Sequence, residues 1–281
     1  MVWGFTGILG DQIQMDSEQI TFFRTAIACL SLLLIIPLAK SQKHPSLKQI
    51  VQLLGVGIIV GVHWFAFFYA IKVSNVSVAV VCMASSTLFT SLLEPLLFGR
   101  KFLPSELFLS ISTLIGIIAI FGFEFHYYLG ICFGLLCAFL GALFTVINGR
   151  LTQSVSSLHI TFYEMMGGCL TMAVFMAFSG KLNGELFNAT NMDWIYLLIL
   201  GIVCTSIAFM SSVWVMKHVS PFSVSISLNM EPIYTILLAV LIDYLSGTNK
   251  EQMSVGFYVG GGIIILAIFV NAYLKSGRRF S

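Results

Sequence analysis

The chain has 281 residues, of which 58% are hydrophobic and 9% charged, with a mean hydropathy of +0.97. No soluble domain can hide that much apolar surface, so the composition excludes an ordinary globular enzyme and indicates a polytopic membrane protein. The net charge of +2 says little about partners; no basic run suggests nucleic acid, and the apolar composition makes the lipid bilayer a partner.

A bilayer core about 30 Å thick needs about 20 apolar residues in a helix. Met1 to Gly10 give only about 15 Å of helix, so a segment preceding Met1 is expected to complete this first span. The second span runs near Gln19 to Ala39, the third near Gln49 to Ile71 and the fourth near Ser77 to Phe98. The fifth opens on Pro104, a residue suited to a first helical turn, and ends near Phe123. The sixth covers Leu129 to Asn148, the seventh His159 to Ser179, and the eighth Asp193 to Met216. The ninth covers Ser220 to Asp243, with Ser220 as N-cap and Pro221 behind it. The tenth covers Ser254 to Leu274. The fold class is therefore an all-α polytopic membrane protein with ten transmembrane helices. The cysteines (Cys29, Cys82, Cys132, Cys137, Cys169, Cys204) all lie inside apolar spans and read as packing residues.

The chain also repeats itself. A shift of 146 residues lays Leu54-Gly55 on Leu200-Gly201, Val73-Ser74 on Val219-Ser220 and Gly116-Ile117-Ile118 on Gly262-Ile263-Ile264. A shift of 140 lays Ile20-Thr21-Phe22 on Ile160-Thr161-Phe162. Two units follow, 1–127 and 128–281, each of five helices. An odd number per unit forces opposite orientations, as in inverted-repeat transporters. With the N-terminus in the cytoplasm, Lys40, Lys43, Lys48, Arg100, Lys101, Arg150, Lys217, Lys275, Arg278 and Arg279 fall inside, against Lys72, Lys181 and Lys250 outside. That positive-inside bias puts both termini in the cytoplasm.

The polar residues within the spans are the candidate sites. Glu231 sits near the middle of the ninth span beside Asn229 and Pro232. A carboxylate at that depth is expensive and is a functional-site hypothesis by default. Its two readings are a substrate or proton site, and a neutral carboxyl serving the backbone that Pro232 frees at a helix kink. Glu94 precedes Pro95, a second kink candidate, and reads as an interfacial partner of Arg100 and Lys101. Arg24 and Glu164 are repeat twins of opposite charge, about one turn into their helices. Inversion places them near opposite faces, so local snorkelling or a gate contact is expected rather than a direct bridge. The third span carries Gly57 and Gly61, which suit close helix packing, then His63 and Trp64. In so aromatic a chain these two read as packing first and as cavity lining second. The histidines show no paired spacing for a metal, and nothing calls for a cofactor. Gly260-Gly261-Gly262 permits either tight helix contact or a homodimer on the lipid side.

Ten helices in two inverted units resemble the EamA family of the drug/metabolite transporter superfamily. Trp3-Gly4-Phe5-Thr6-Gly7-Ile8-Leu9-Gly10 resembles that family's first-helix motif, and Phe22-Phe23-Arg24 the opening of its second helix. Leu92-Leu93-Glu94-Pro95-Leu96-Leu97-Phe98 and Asn229-Met230-Glu231-Pro232-Ile233-Tyr234 resemble its fourth and ninth helices, and Tyr234 joins the candidates by this route. Where many members carry Gly-Glu after the fourth helix, this chain has Gly99-Arg100, so no role for that acid transfers. The resemblance implies a secondary transporter in the cell membrane, an exporter of small metabolites such as amino acids, with substrate held between the two units. No phosphate-binding loop of the G-x4-GK[ST] kind appears, which argues against direct ATP use. The rival readings are a lipid-modifying membrane enzyme, for which no HExxH or GxSxG motif is present, and a non-transporting sensor or assembly subunit, which would normally carry a soluble output domain.

Overall fold

The structure is a computed structural model. It describes residues 2–38, 44–99, 125–228, 231–247 and 254–277, with isolated positions between 108 and 119. The described residues are helical and contain no strand. The helices are α1 (Gly4–Gln12), α2 (Ser17–Ile35), α3 (Leu47–Val73), α4 (Val76–Met83), α5 (Ser86–Phe98), α6 (Tyr128–Leu151), α7 (Ser157–Phe178), α8 (Asn191–Gly201), α9 (Ala208–Val215), α10 (Pro221–Leu228), α11 (Glu231–Ser246) and α12 (Val255–Gly277). A π-helical turn, Ile202–Ile207, joins α8 to α9.

Six stretches are long and apolar enough to cross a membrane: Ser17–Ile35, Leu47–Val73, Val76–Phe98, Tyr128–Leu151, Ser157–Phe178 and Asn191–Val215. Large apolar side chains such as Leu34, Leu170, Val174 and Leu198 are exposed along them, the surface a bilayer would cover. The protein is a polytopic membrane protein. The helix expected from Pro104 to Phe123 lies largely outside the described residues, as do Asn229 and the basic pair Arg100 and Lys101.

Helix starts are set by local chemistry. Ser46 and Gln49 form a capping box at α3, with the Ser46 amide donating to Gln49 Oε1 at 2.8 Å. Thr190 and Asp193 do the same at α8, where Thr190 N donates to Asp193 Oδ2 at 3.0 Å. The Asp193 carboxylate also accepts the backbone N–H of Gln14 at 2.9 Å, which ties the α1–α2 turn to the start of α8.

Two expected continuous helices are interrupted. The fourth span breaks at Ala84 and Ser85, where the Ser85 hydroxyl turns back to the Cys82 carbonyl at 2.6 Å and separates α4 from α5. The eighth takes its π turn at Ile202–Ile207, where the Thr205 hydroxyl donates to the Leu200 carbonyl at 2.7 Å. Pro95 lies inside α5, which runs on to Phe98. Pro232 is the second residue of α11. A proline in a first turn gives up no helical hydrogen bond, and the kink expected beside it falls on residues 229 and 230, outside the described residues.

Glycines set the closest approaches. A side chain on Gly57 would meet the Glu164 carbonyl oxygen at 2.5 Å and Gly167 Cα at 2.8 Å, and one on Gly61 would meet Gly168 Cα at 2.9 Å. The α3 and α7 backbones therefore touch along a seam without side chains, the small-residue packing that membrane helices use. On α1, a side chain at Gly10 would strike Phe68, and one at Gly4 would strike Tyr234 and Thr235 of α11. In α12, a side chain at Gly261 would meet Val81 of α4 at 3.8 Å, so the triple glycine includes a contact within the chain.

Candidate functional site

A cavity of about 80 Å³ lies where α1, α2, α3, α6, α9 and the start of α11 converge. Arg24, His63, Trp64 and Glu231, far apart in sequence, all line it. At roughly 10–15 Å³ for each water-sized group, it has room for about five to eight of them.

Arg24 dominates the electrostatics. It is only 1% exposed, and its guanidinium carbon lies 3.9 Å from the centroid of the Trp64 ring. Its Nε donates to Thr205 Oγ1 at 2.6 Å. The π turn makes that contact, because the extra residue rotates Thr205 toward α2. Next to it, Ser206 meets Ser31 of α2 at 2.6 Å. Gly201 opens the same approach, since a side chain there would meet Ile27 Cγ2 at 2.6 Å. Such π turns occur often at functional sites. The Nη1 group of Arg24 is buried with no hydrogen-bond partner among the described residues. A buried cation stacked on tryptophan gains about 2 kcal/mol from the ring, which does not replace a counter-ion.

Aromatic rings form the apolar wall. Trp64 packs edge-on to Phe209 at 5.8 Å between centroids, and Phe209 lies 5.7 Å from Phe144. His63 stands against Phe144 at 5.1 Å. Its Nδ1 lies 2.8 Å from the Cys137 carbonyl, which can only accept, so Nδ1 carries the proton and Nε2 is the acceptor of the neutral ring. Gly141 leaves space for that ring, since a side chain there would meet His63 Cε1 at 3.0 Å. Trp3 closes the cavity from α1 and donates Nε1–H to the Cys204 carbonyl in the π turn at 2.8 Å. Glu231 presents a carboxyl to the same space, so a basic and an acidic side chain share a cavity within an aromatic wall.

Other candidates sit elsewhere. Tyr234 does not line the cavity and packs against Gly4 of α1. Glu164 is 0% exposed, lies outside the cavity, and accepts a hydrogen bond from Asn148 Nδ2 at 3.1 Å. Of the two readings of Arg24 and Glu164, snorkelling does not fit, because both head groups are buried: Thr205 and Trp64 hold one inside the bundle, and Asn148 holds the other. His63 and Trp64 are buried in the core, as the packing reading expects, and both also border the cavity. Glu94 is 7% exposed.

Sequence reasoning missed Trp3, Thr205 and Phe209 as site residues. Trp3 opens the first-helix motif without being singled out by it, Phe209 carries no signal beyond being aromatic in an aromatic chain, and Thr205 reaches Arg24 through the π turn. Asn148, an amide closing an apolar span, was a detectable signal.

The EamA-like transporter family model matches residues 1–122 and again residues 128–273. The "Uncharacterized transporter YdfC" of Bacillus subtilis (strain 168) is 25% identical over 283 residues, covering 98% of this chain and 87% of that protein. A solved structure described only as "Crystal structure of protein" aligns with a TM-score of 0.69 at 16% identity, over 97% of this chain and 94% of that one. That likeness establishes a shared fold. With the model matching nearly the whole length, the chain belongs to the EamA-like transporter family of the drug/metabolite transporter superfamily.

Proposed function

We propose that the protein is a secondary transporter of the cell membrane that exports a small, carboxylate-bearing metabolite of amino-acid size. The observation that carries this reading is the buried Nη1 of Arg24, in a guanidinium that lines the cavity and lies over Trp64. A substrate carboxylate would supply the missing acceptor in the geometry a guanidinium favours. Glu231 would receive a substrate ammonium across the cavity. The aromatic wall would exclude water and accept a short side chain, and the cavity volume limits the ligand to a few non-hydrogen atoms.

The family and the name of the YdfC relative point to a transporter rather than to a lipid-modifying enzyme or a sensor. Export is the direction the family resemblance implies, and the lack of a nucleotide-binding loop leaves an ion or substrate gradient as the drive. The two matches to one family model support units 1–127 and 128–281 as copies of each other. The start of α10 lies within one residue of where the 146-residue shift puts the start of α4. Opposite orientation of the copies, and both termini in the cytoplasm, rest on the basic-residue bias.

The test is substrate counterflow in proteoliposomes with three sets of labelled compounds: small zwitterionic amino acids, the matching acids without the amine, and the matching amines without the acid. Amino acids should exchange best, acids should retain measurable exchange, and Arg24→Gln should abolish both. Equal exchange of amines and amino acids, or an Arg24→Gln protein as active as wild type, would refute the assignment.

A further inference from the structure

Glu164 and Asn148 form a second polar centre, outside the cavity. Both are 0% exposed, one on α7 and the other on α6. Asn148 Nδ2 donates to Glu164 Oε2 at 3.1 Å, while Glu164 Oε1 and Asn148 Oδ1 are both buried with no hydrogen-bond partner among the described residues. An ionised carboxylate and an amide oxygen are both acceptors only. With Glu164 charged, the pair would bury one negative charge and two unsatisfied acceptors, a combination that protein interiors avoid.

A single proton on Oε1 neutralises the charge and turns that unsatisfied acceptor into a donor, for which Asn148 Oδ1, on the amide already bonded to Oε2, is an open acceptor. The described charged and histidine side chains on α2, α3, α6 and α7 have other partners or stand in the open. Arg24 on α2 donates to Thr205, and Glu18 on α2 pairs with Lys181. On α3, His63 bonds the Cys137 carbonyl and Lys72 donates to the Ile13 carbonyl, while Lys48 is exposed at the helix start. Arg150 of α6 lies 5.7 Å from the Phe98 ring, and His159 of α7 bonds Ser156. Among the described residues, none of these supplies a counter-charge to Glu164.

We infer that the Glu164–Asn148 pair is a proton-binding site, separate from the substrate cavity, that loads and releases one proton during the transport cycle. The inference rests on the transporter reading above. The Glu164 carboxylate takes the proton from water on one side of the membrane and returns it to water on the other, so one charge moves with each cycle. The link to substrate is spatial. Asn148 lies three and four residues beyond Thr145 and Phe144, which line the cavity, or about one turn of α6. The Glu164 backbone lies in the seam against Gly57 of α3, the helix that carries His63 and Trp64. A change in cavity shape that parts α6 from α7 opens the acid–amide pair and frees its proton.

Infrared difference spectroscopy over a pH titration tests the site without reference to transport. Wild type should show the carbonyl stretch of a buried protonated carboxylic acid, Glu164→Gln should lack it, and Glu231→Gln should keep it. In proteoliposomes with an imposed pH gradient, Glu164→Gln should exchange substrate yet lose the accumulation that wild type achieves. The exchanged pair Asn148→Asp with Glu164→Gln rebuilds an acid beside an amide, so it should recover both the band and the accumulation even if Glu164→Gln alone folds poorly. A band that persists in Glu164→Gln, or undiminished pH-driven accumulation by that variant, overturns the proposal. If wild type exchanges none of the compounds while the band still depends on Glu164, the transporter reading fails and the proton site stands.

Discussion

Two glycines on α3, two residues apart, should respond to the same substitution with opposite signs. Gly57 faces the α7 backbone, and a new Cβ would lie 2.5 Å from the Glu164 carbonyl oxygen, whereas ordinary contact begins at 3.4 Å. Relief requires α3 and α7 to separate by the difference, about 0.9 Å, because neither side offers a side chain that can rotate away. Overpacking of this kind costs about 1–3 kcal/mol, and the rigid seam argues for the upper end. Alanine returns about 1 kcal/mol of helix propensity, so Gly57→Ala should destabilise by about 2 kcal/mol net. At roughly 2–4 °C per kcal/mol for a chain of this general size, Tm should fall by about 4–8 °C. At Gly55 a Cβ meets nothing within 4 Å, so only the propensity term remains. Gly55→Ala should therefore raise Tm by about 2–4 °C. Both are read by thermal unfolding of detergent-purified protein at one pH and detergent concentration. If Gly57→Ala matches wild type or falls with Gly55→Ala, α3 and α7 do not touch as described.

Arg24→Lys keeps the charge but loses the planar stack on Trp64 and the fixed fork of donors, so substrate affinity should fall about 10-fold or more, measured by ligand-induced thermal shift or counterflow. Lys181 bridges Asp16 at 2.7 Å and Glu18 at 2.5 Å, and these carboxylates hold its ammonium above the ordinary lysine value of 10.5. The contribution should be complete below that value and vanish only as pH rises through the raised one. Because the Lys181 side chain is 45% exposed, Lys181→Met should cost at most about 1 kcal/mol at neutral pH, less in high salt, as thermal unfolding can check. Cysteines placed at Lys43 and Asn188 should react with an impermeant reagent from opposite sides of the membrane, and labelling of both from outside would sink the inverted topology.

Six of the expected spans were legible because membrane burial demands long apolar runs. Arg24, Glu164 and Glu231 stood out because charges inside such runs are rare. Gly57 and Gly61 signalled the seam through their spacing alone. The breaks were hidden for a different reason. Ala84 and Ser85 contain neither proline nor glycine, and a π turn adds one residue to a helix without changing its composition. The turn sends Thr205 to Arg24, so the anchor of the guanidinium was invisible in one dimension. The partnership of Glu164 with Asn148, and the face on which Trp64 lies, are tertiary facts that depend on how α3, α6 and α7 are rotated. Tyr234 was carried by a motif, yet packing against Gly4 turns it to α1.

The glycine seam joins α3 to α7, one helix from each half of the chain. Where side chains interdigitate, two helices can slide by exchanging rotamers. Where backbones touch directly, any slip must break the contact as a whole. The two halves are thus riveted at this point and have little freedom to rock apart about it. Motion that exposes the cavity first to one side and then to the other has to be borne by parts able to flex: the interruption at Ala84 and Ser85, and the π turn that holds Arg24. The protein is better described as a fixed spine with jointed flanks than as two shells closing on a pivot, and a cross-link across the seam should leave turnover intact while one across either joint should stop it.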